Sequence, residues 1–332
     1  MQLDKAISNI KINLVLQIGL NNNRKSNSID VLLSLTYVST VRIASFNLHQ
    51  YGLKKASDAT LTDFIADILN DCDVAILQEI TDVTIRAPYV LHDALNRKSR
   101  SKPYTMALSA RVGRSATKEQ YIFLNRESTS GVKLINSYLY QDTEDRFERP
   151  PFIGTFEVTK RSTSGVKYFT IMNIHLKPTA AYQELLDMRY VIEDFIINNS
   201  QYFSETSISL AQALEQNVIG ATSSNKPSLK TSHPILIIGD LNADCSYISL
   251  TRQQSLRSID YADFVWMINN EVKTNTRQTC TYDRILVNGD KFVRAIVPRS
   301  NTTVNLQQRF GMTLAQALDI SDHFPVKFDI NW

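Results

Sequence analysis

Val74-Ala-Ile-Leu-Gln-Glu79 sets four consecutive apolar residues directly before an amide and a carboxylate. A strand buried on both faces reads as such a run rather than as an alternation of apolar and polar residues. Its carboxyl end is where a layered α/β protein builds a site. Working outward, Val41-Arg-Ile-Ala-Ser-Phe46 is a second short β-type run, and the segment between the two has a helical pattern with Leu61, Phe64, Ile65, Ile68 and Leu69 on one face. Further strand-like runs follow at Tyr121 to Leu124, Phe152 to Val158, Tyr168 to Ile174, Ile235 to Ile238, Arg284 to Val287 and Val326 to Ile330. A helical period covers Tyr182 to Ile197. No repeat of solenoid or propeller length is present. Buried strands alternating with helices indicate one layered α/β domain over residues 41–332.

Two stretches fall outside that pattern. Residues 1–40 have mixed composition and an Asn/Ser-rich patch from Asn21 to Ser28, the mark of an N-terminal extension or leader. Arg24 and Lys25 ahead of Val31 to Val38, then Ser39 and Thr40, follow the order of a signal peptide, although Asp30 and the shortness of the apolar stretch depart from it. Residues 200–232 are Ser/Thr/Asn-rich without strong periodicity and read mostly as a surface insertion.

With 43% hydrophobic and 21% charged residues in 332, the chain has enough apolar surface for a core, which excludes a disordered protein. A net charge of +3 permits a polyanionic partner without requiring one. Three cysteines without a CxxC pair exclude a disulfide scaffold and a zinc ribbon, leaving at most one bridge and a spare thiol. No run reaches the roughly 20 apolar residues of a membrane-spanning helix, so stable membrane insertion is not expected. A monomer is expected.

The strand ends carry the chemistry. Asn47, Glu79, His175, Asp240 with Asn242, and Asp322 with His323 each stand where an apolar run stops. Singly they have ordinary readings as a turn cap, a solvated carboxylate or a structural histidine. Together they supply what a phosphodiester needs: a hard cation, an oriented water and a proton donor for the leaving oxygen. Glu79 suits Mg²⁺, with water and phosphate completing the octahedron. Asn47 and Asn242 contact phosphate oxygens without adding charge. His175 and His323 titrate near neutrality, one as base and one as acid, each with an orienting carboxylate.

Three blocks make the chain recognisable: Gly239-Asp-Leu-Asn-Ala-Asp-Cys-Ser-Tyr247, Cys280-Thr-Tyr-Asp-Arg-Ile285 and Ile320-Ser-Asp-His-Phe-Pro-Val326. With Gly113-Arg-Ser115, Lys118-Glu119 and the Phe147/Arg149/Pro151 region, they resemble the deoxyribonuclease I family of the endonuclease/exonuclease/phosphatase superfamily. The resemblance implies a four-layer α/β fold of two packed, mostly antiparallel sheets flanked by helices, with the site at one end. It implies a metal-dependent endonuclease that cuts DNA, double-stranded by expectation, to 5′-phosphate and 3′-hydroxyl ends. By the same carry-over Glu119 orients His323 and Asp283 orients His175, while Asp240 and Asp322 hold metal or water. Arg114, Arg149 and Tyr282 fall on positions that contact substrate. Cys245 and Cys280 fall on half-cystine positions, which implies one disulfide; two buried thiols are the alternative in a reducing compartment. Cys72 has no matching partner and reads as a buried free thiol. Mg²⁺ is the implied ion, with Mn²⁺ as a substitute, and a secretory location is implied, with a nuclear or other intracellular one as the alternative.

The chain also departs from that family. Thr117 stands in place of a tyrosine that lies against the DNA sugar, and Thr81 in place of an arginine that enters the minor groove. Both losses predict a weaker grip on duplex DNA or an altered cutting preference. Asp142 and Asp145 remain near one Ca²⁺ site, but Pro150 replaces an acidic ligand. In a second Ca²⁺ loop Val272 stands where the first acid is expected, with Glu271 adjacent. Met106 and Leu108 occupy the actin-binding region without its anchoring aromatic, so actin binding is not expected. The rival readings are a superfamily phosphatase or phospholipid phosphodiesterase, and an inactive nucleic-acid or protein binding module.

Overall fold

The computed structural model describes residues 12–20, 29–37, 40–115, 118–160, 162–215 and 231–332. Fourteen strands are described: β1 Ile12–Leu20, β2 Ile29–Tyr37, β3 Thr40–Tyr51, β4 Val74–Ile80, β5 Thr105–Leu108, β6 Gln120–Asn125, β7 Val132–Leu139, β8 Phe152–Val158, β9 Tyr168–His175, β10 Ile235–Asp240, β11 Val265–Trp266, β12 Asp283–Asn288, β13 Thr302–Thr303 and β14 Val326–Asn331. Twelve of them form two six-stranded sheets, ordered β11-β12-β10-β9-β8-β7 (sheet I) and β13-β14-β3-β4-β6-β5 (sheet II). Each sheet holds one parallel pair, β9/β10 in sheet I and β3/β4 in sheet II, and is otherwise antiparallel. The expected pair of mostly antiparallel sheets is what the chain forms.

Side-chain alternation explains the continuous apolar runs. Ile43, Val74, Ile76, Tyr121 and Phe123 of sheet II meet Phe156, Phe169, Ile171, Leu236, Ile238, Ile285 and Val287 of sheet I in the central core. The intervening residues Ala44, Phe46, Ala75, Leu77, Ile122 and Leu124 face outward and are covered by helices. The covering helices are α2 Ala59–Leu69 and α3 Ala87–Lys98, with the short α1 Leu53–Ala56 and α6 Leu314–Ile320 beside them. On sheet I the same task falls to α4 Ala181–Asn198 through Leu185, Met188, Val191, Ile192 and Phe195. Both faces of each sheet are therefore buried, and period-two alternation is invisible in the sequence.

Three local expectations are refined. Phe64 is 40% exposed, so the buried stripe of α2 runs through Ile65, Ile68 and Leu69 without it. The polar stretch after Ser200 begins with a helix, α5 Glu205–Glu215, whose Ala211 is buried in the sheet I outer core; residues 216–230 lie outside the described ones. Within the N-terminal stretch, β1 and β2 pair antiparallel as a separate two-stranded sheet, and the Asn21 to Ser28 patch lies outside the described residues. No helix among the described residues is long and apolar enough to cross a membrane.

Strand polarity brings the functional ends together. β9 and β10 run parallel with His175 opposite Asp240, and β12 runs against β10 with Asp283 opposite the same Asp240. In sheet II the regular pairing of β3 and β4 breaks after Asn47 and Gln78, and antiparallel β6 and β14 begin at that end, just after Glu119 and His323.

Candidate active site

His175 closes β9 with its ring buried, and its Nδ1 lies 2.9 Å from Glu119 Oε1 and 3.1 Å from Oε2. His323, also buried, has Nδ1 at 2.8 Å from Asp283 Oδ2. The structure thus reverses the pairing the resemblance implied: Glu119 orients His175 and Asp283 orients His323. The reason is the sandwich. His175 and Asp283 both belong to sheet I with β10 between them, and Glu119 and His323 both belong to the sheet II side with β3 and β4 between their strands. Those same-sheet separations are two and three strand spacings, roughly 10 and 14 Å. Across the facing sheets each histidine instead meets a carboxylate directly.

With each Nδ1 held by a carboxylate, each Nε2 is left to face inward. Nε2 of His175 lies 3.6 Å, and Nε2 of His323 3.4 Å, from the same oxygen, Asp240 Oδ2. Burial opposes the charged form of His175, but the Glu119 carboxylate more than offsets it and raises the histidine above its ordinary pKa. Burial opposes charge on His323 as well, and Asp283 and Asp240 raise it well above the ordinary value. Burial works against ionisation of Asp240, yet the two histidines and the hydrogen bonds from Asn242 and Asn47 hold it below the usual carboxylate range.

Asn47 joins the two sheets at this point. Its Nδ2 donates to Glu79 Oε1 at 2.9 Å and to Asp240 Oδ2 at 3.0 Å, and its Oδ1 accepts from the His49 amide at 2.9 Å. Both amide hydrogens are therefore engaged by carboxylates. Asn242 donates from its backbone to Asp240 Oδ1 and from Nδ2 to Leu176 O. The backbone is left-handed at Glu79, Asn242, His49 and Gln50, with φ of 59°, 45°, 45° and 55°. Non-glycine residues hold that conformation only where the surroundings over-determine it. At Gly239 (φ 149°) a Cβ would stand 1.9 Å from the Ile174 carbonyl oxygen, so only glycine lets β10 approach β9 before delivering Asp240.

The remaining positions sit around this centre. Glu79 is mostly buried, with Oε2 accepting from the Gln50 amide at 2.9 Å; burial opposes its charge, but His175 and Asn47 hold its pKa below the usual value. Asp322 is half exposed, with Oδ1 3.9 Å from His323 Nε2 and 3.7 Å from His49 Nδ1, and that oxygen is buried without a hydrogen-bond partner among the described residues. Two separate sets of donors, Glu79/Glu119/His175 and Asp240/Asp283/His323, each bring their ligand atoms within 4.8 Å of one another. Hard carboxylate oxygens, with Asp283 Oδ1 in the second set and Asp322 Oδ1 beside it buried and without a hydrogen-bond partner among the described residues, fit a hard divalent cation. Arg149 donates from Nε to His175 O at 3.0 Å and lies 3.2 Å from Glu119, with one terminal nitrogen buried and without a partner among the described residues. The Tyr282 ring is 6.1 Å from that of His323. Arg114, by contrast, points to the surface and pairs with Asp145 at 2.9 Å.

Cys245 and Cys280 form a disulfide with Cα atoms 5.9 Å apart, closing a 35-residue separation between the Asn242 and Tyr282 loops, and Cys72 is a buried free thiol. Asp142 accepts from the Arg146 and Phe147 amides, so both carboxylates of the expected first Ca²⁺ site already have protein partners. Thr81 accepts the Arg111 guanidinium through its carbonyl; Thr117 lies outside the described residues.

Several further groups support this centre. Gln78 Nε2 donates to Asn173 Oδ1 at 2.7 Å and to Ser45 Oγ at 3.1 Å, a fully buried polar bridge between the sheets beneath Glu79. Tyr121 Oη accepts the His175 amide, and Ser321 Oγ donates to Asn47 O while accepting from His323 N. A polar residue inside an apolar run, as in Ile-Met-Asn173-Ile, is the signal that could have found the first of these.

Comparison with known proteins accords with this geometry. Residues 44–323 match the Endonuclease/Exonuclease/phosphatase family. The chain is 31% identical over 307 residues to deoxyribonuclease gamma of Homo sapiens, covering 90% of this chain and 89% of that protein. It is 33% identical over 294 residues to deoxyribonuclease-1 of Sus scrofa, covering 87% and 90%. Among solved structures, a humanized D. rerio TDP2 with 14 mutations superposes with a TM-score of 0.52 at 16% identity, covering 88% of this chain and 99% of that one. The human Nocturnin catalytic domain with bound sulfate gives 0.51 at 16% identity, covering 87% and 93%. These two share the fold. The chain belongs to the endonuclease/exonuclease/phosphatase family and, within it, to the deoxyribonuclease I-like hydrolases.

Proposed function

We propose that the chain is a metal-dependent endonuclease that hydrolyses DNA phosphodiester bonds to 5′-phosphate and 3′-hydroxyl ends. The observation that carries this reading is the pair of carboxylate-held histidines whose Nε2 atoms converge on Asp240. One Nε2 takes the proton of the attacking water as the new P–O bond forms. The other donates a proton to the 3′-oxygen as its bond to phosphorus breaks. Glu119 and Asp283 hold the tautomers and stabilise each imidazolium in turn. Arg149 offers its unpartnered nitrogen to a phosphate oxygen, with Tyr282, Asn242 and Arg114 as further phosphate contacts. Glu79 and Asp322 would hold Mg²⁺, or Mn²⁺ in its place, and the bound ion supplies charge neutralisation at the phosphate.

The relatives named deoxyribonucleases support DNA as the substrate. Duplex DNA is the proposed form, gripped less firmly where Thr81 and Thr117 stand. The Cys245–Cys280 disulfide supports a secretory location, since such bonds persist in oxidising compartments. Nicking of supercoiled DNA tests the reading, with Mg²⁺, with EDTA, and beside phospholipid and inositol-phosphate substrates. Mg²⁺-dependent nicking that His175→Ala and His323→Ala each abolish is expected; nicking indifferent to EDTA, or confined turnover of the other substrates, defeats it.

A further inference from the structure

Lys55 lies in α1, apart from the residues that the strand ends bring to the reaction. Its Nζ donates to Leu48 O at 3.0 Å, His49 O at 2.6 Å and Ile320 O at 2.9 Å. An ammonium has three hydrogens, and all three here go to backbone carbonyls rather than to a carboxylate. Two of those carbonyls belong to the irregular end of β3, between Asn47 and Tyr51, whose left-handed Gln50 presents its amide to Glu79 Oε2 at 2.9 Å. The third ends α6 and is followed directly by Ser321, Asp322 and His323. A lysine that merely caps a helix C-terminus accounts for the contact with Ile320; it does not account for the two with β3. Burial lowers Lys55 to about 8 while Asp322, Glu79 and Asp319 act the other way, so the ammonium persists at neutral pH.

We propose that Lys55 is a positioning residue, a three-carbonyl clamp that locks the turn holding Glu79 to the loop carrying Asp322 and His323. The cation-binding carboxylates and one acid/base pair are thereby fixed relative to each other. The inference rests on the metal-dependent hydrolase reading above. It differs from a purely electrostatic role in the sign of one effect. Removing a positive charge beside Glu79 and Asp322 tightens divalent-cation binding, whereas releasing the clamp weakens it.

The test is Mn²⁺ binding to the full chain by titration calorimetry, which needs no turnover, alongside kcat and KM for nicking and the melting temperature. Lys55→Met keeps the aliphatic stem and removes the donors; Lys55→Arg keeps the charge, but a planar fork does not meet three carbonyls converging on one nitrogen. Both variants are expected to bind Mn²⁺ at least tenfold more weakly and to lose kcat with little change in KM for DNA. Unchanged or tighter Mn²⁺ binding in Lys55→Met, or full recovery in Lys55→Arg, overturns the proposal. If Lys55→Met does not fold, Lys55→Arg alone decides by the same Mn²⁺ readout. A wild-type chain that binds Mn²⁺ but leaves DNA intact defeats the nuclease reading, and the Mn²⁺ comparison among the three chains still decides the clamp.

Discussion

A buried histidine lies at each end of β9, His175 as its last residue and His233, from the segment before β10, against Thr170 near its start, and the two are electrostatic opposites. At its C-terminal end His175 sits against Glu119 and is raised above its ordinary pKa. At the other end Thr170 Oγ1 is 2.9 Å from Nε2 of His233, which stacks on Tyr202 at 4.9 Å beside Phe195 and Phe203. Burial drives that imidazole down to about 4. Both rings are almost inaccessible, 7% and 4% exposed, so burial alone does not distinguish them. A carboxylate delivered from the opposite sheet does. Without one, burial silences a histidine at neutral pH; with one, the charged form of an equally buried ring is favoured.

The comparison breaks most decisively at the active end. His323→Ala and His175→Ala are each expected to lower the nicking rate at least about a thousandfold, the scale of a lost acid or base. His233→Phe should leave the rate within a few-fold; an equal loss in all three, measured on folded protein, would dissolve the distinction.

The quiet end makes its own prediction in acid. His233 is about 4 in the folded chain against 6.5 for the ordinary group, so below 6.5 the unfolded chain binds the extra proton and stability falls as pH drops from about 6.5 to about 4. The loss reaches about 3 kcal/mol. Urea unfolding at pH 7 and pH 4.5 should show a steeper decline for wild type than for His233→Phe, and parallel slopes would refute the assignment. The sign is opposite for His175 and His323, whose raised values favour the folded state on protonation and lose that contribution as pH rises through them.

A smaller change converts one end toward the other. Glu119→Gln keeps the shape but removes the charge that offsets the burial of His175, so its pKa should fall by NMR titration and nicking should drop about a hundredfold, within the range of a positioned proton-transfer group. A histidine that titrates unchanged would mean Glu119 is not what sets it.

The least effect belongs to the exposed loop. Arg114 and Asp145 are paired in solvent, where such a bridge contributes about 0.2 to 1 kcal/mol, and Asp142 is engaged by backbone amides. Arg114→Ala should shift the melting temperature by only a few degrees, and millimolar Ca²⁺ should add little stability. A large Ca²⁺-induced rise in melting temperature would restore a site that these contacts oppose.

Much of this contrast was legible beforehand. The strand ends bearing Glu79, His175, Asp240 and His323 stand out because a titratable group closing an apolar run is unusual, and the blocks around Gly239, Cys280 and Asp322 carry the family resemblance with them. His233 had no such signal: it precedes Pro234 and a buried strand, and its silence depends on Tyr202 and Thr170 from elsewhere in the chain. Phe64 shows the limit on the fold side, since an apolar residue on the expected helical face still projects into solvent.

Local order along the chain determined which residue types arrive at one end of the strands, because strand polarity and apolar runs are properties of neighbouring residues. It did not determine which histidine meets which carboxylate. That choice was made by two sheets stacking face to face, which puts Glu119 against His175 and Asp283 against His323 while same-sheet partners stay two or three strands apart. The Lys55 clamp was equally invisible, since its contact with Ile320 spans 265 positions of sequence and joins the local ones to Leu48 and His49 only once α1 and α6 are packed beside sheet II.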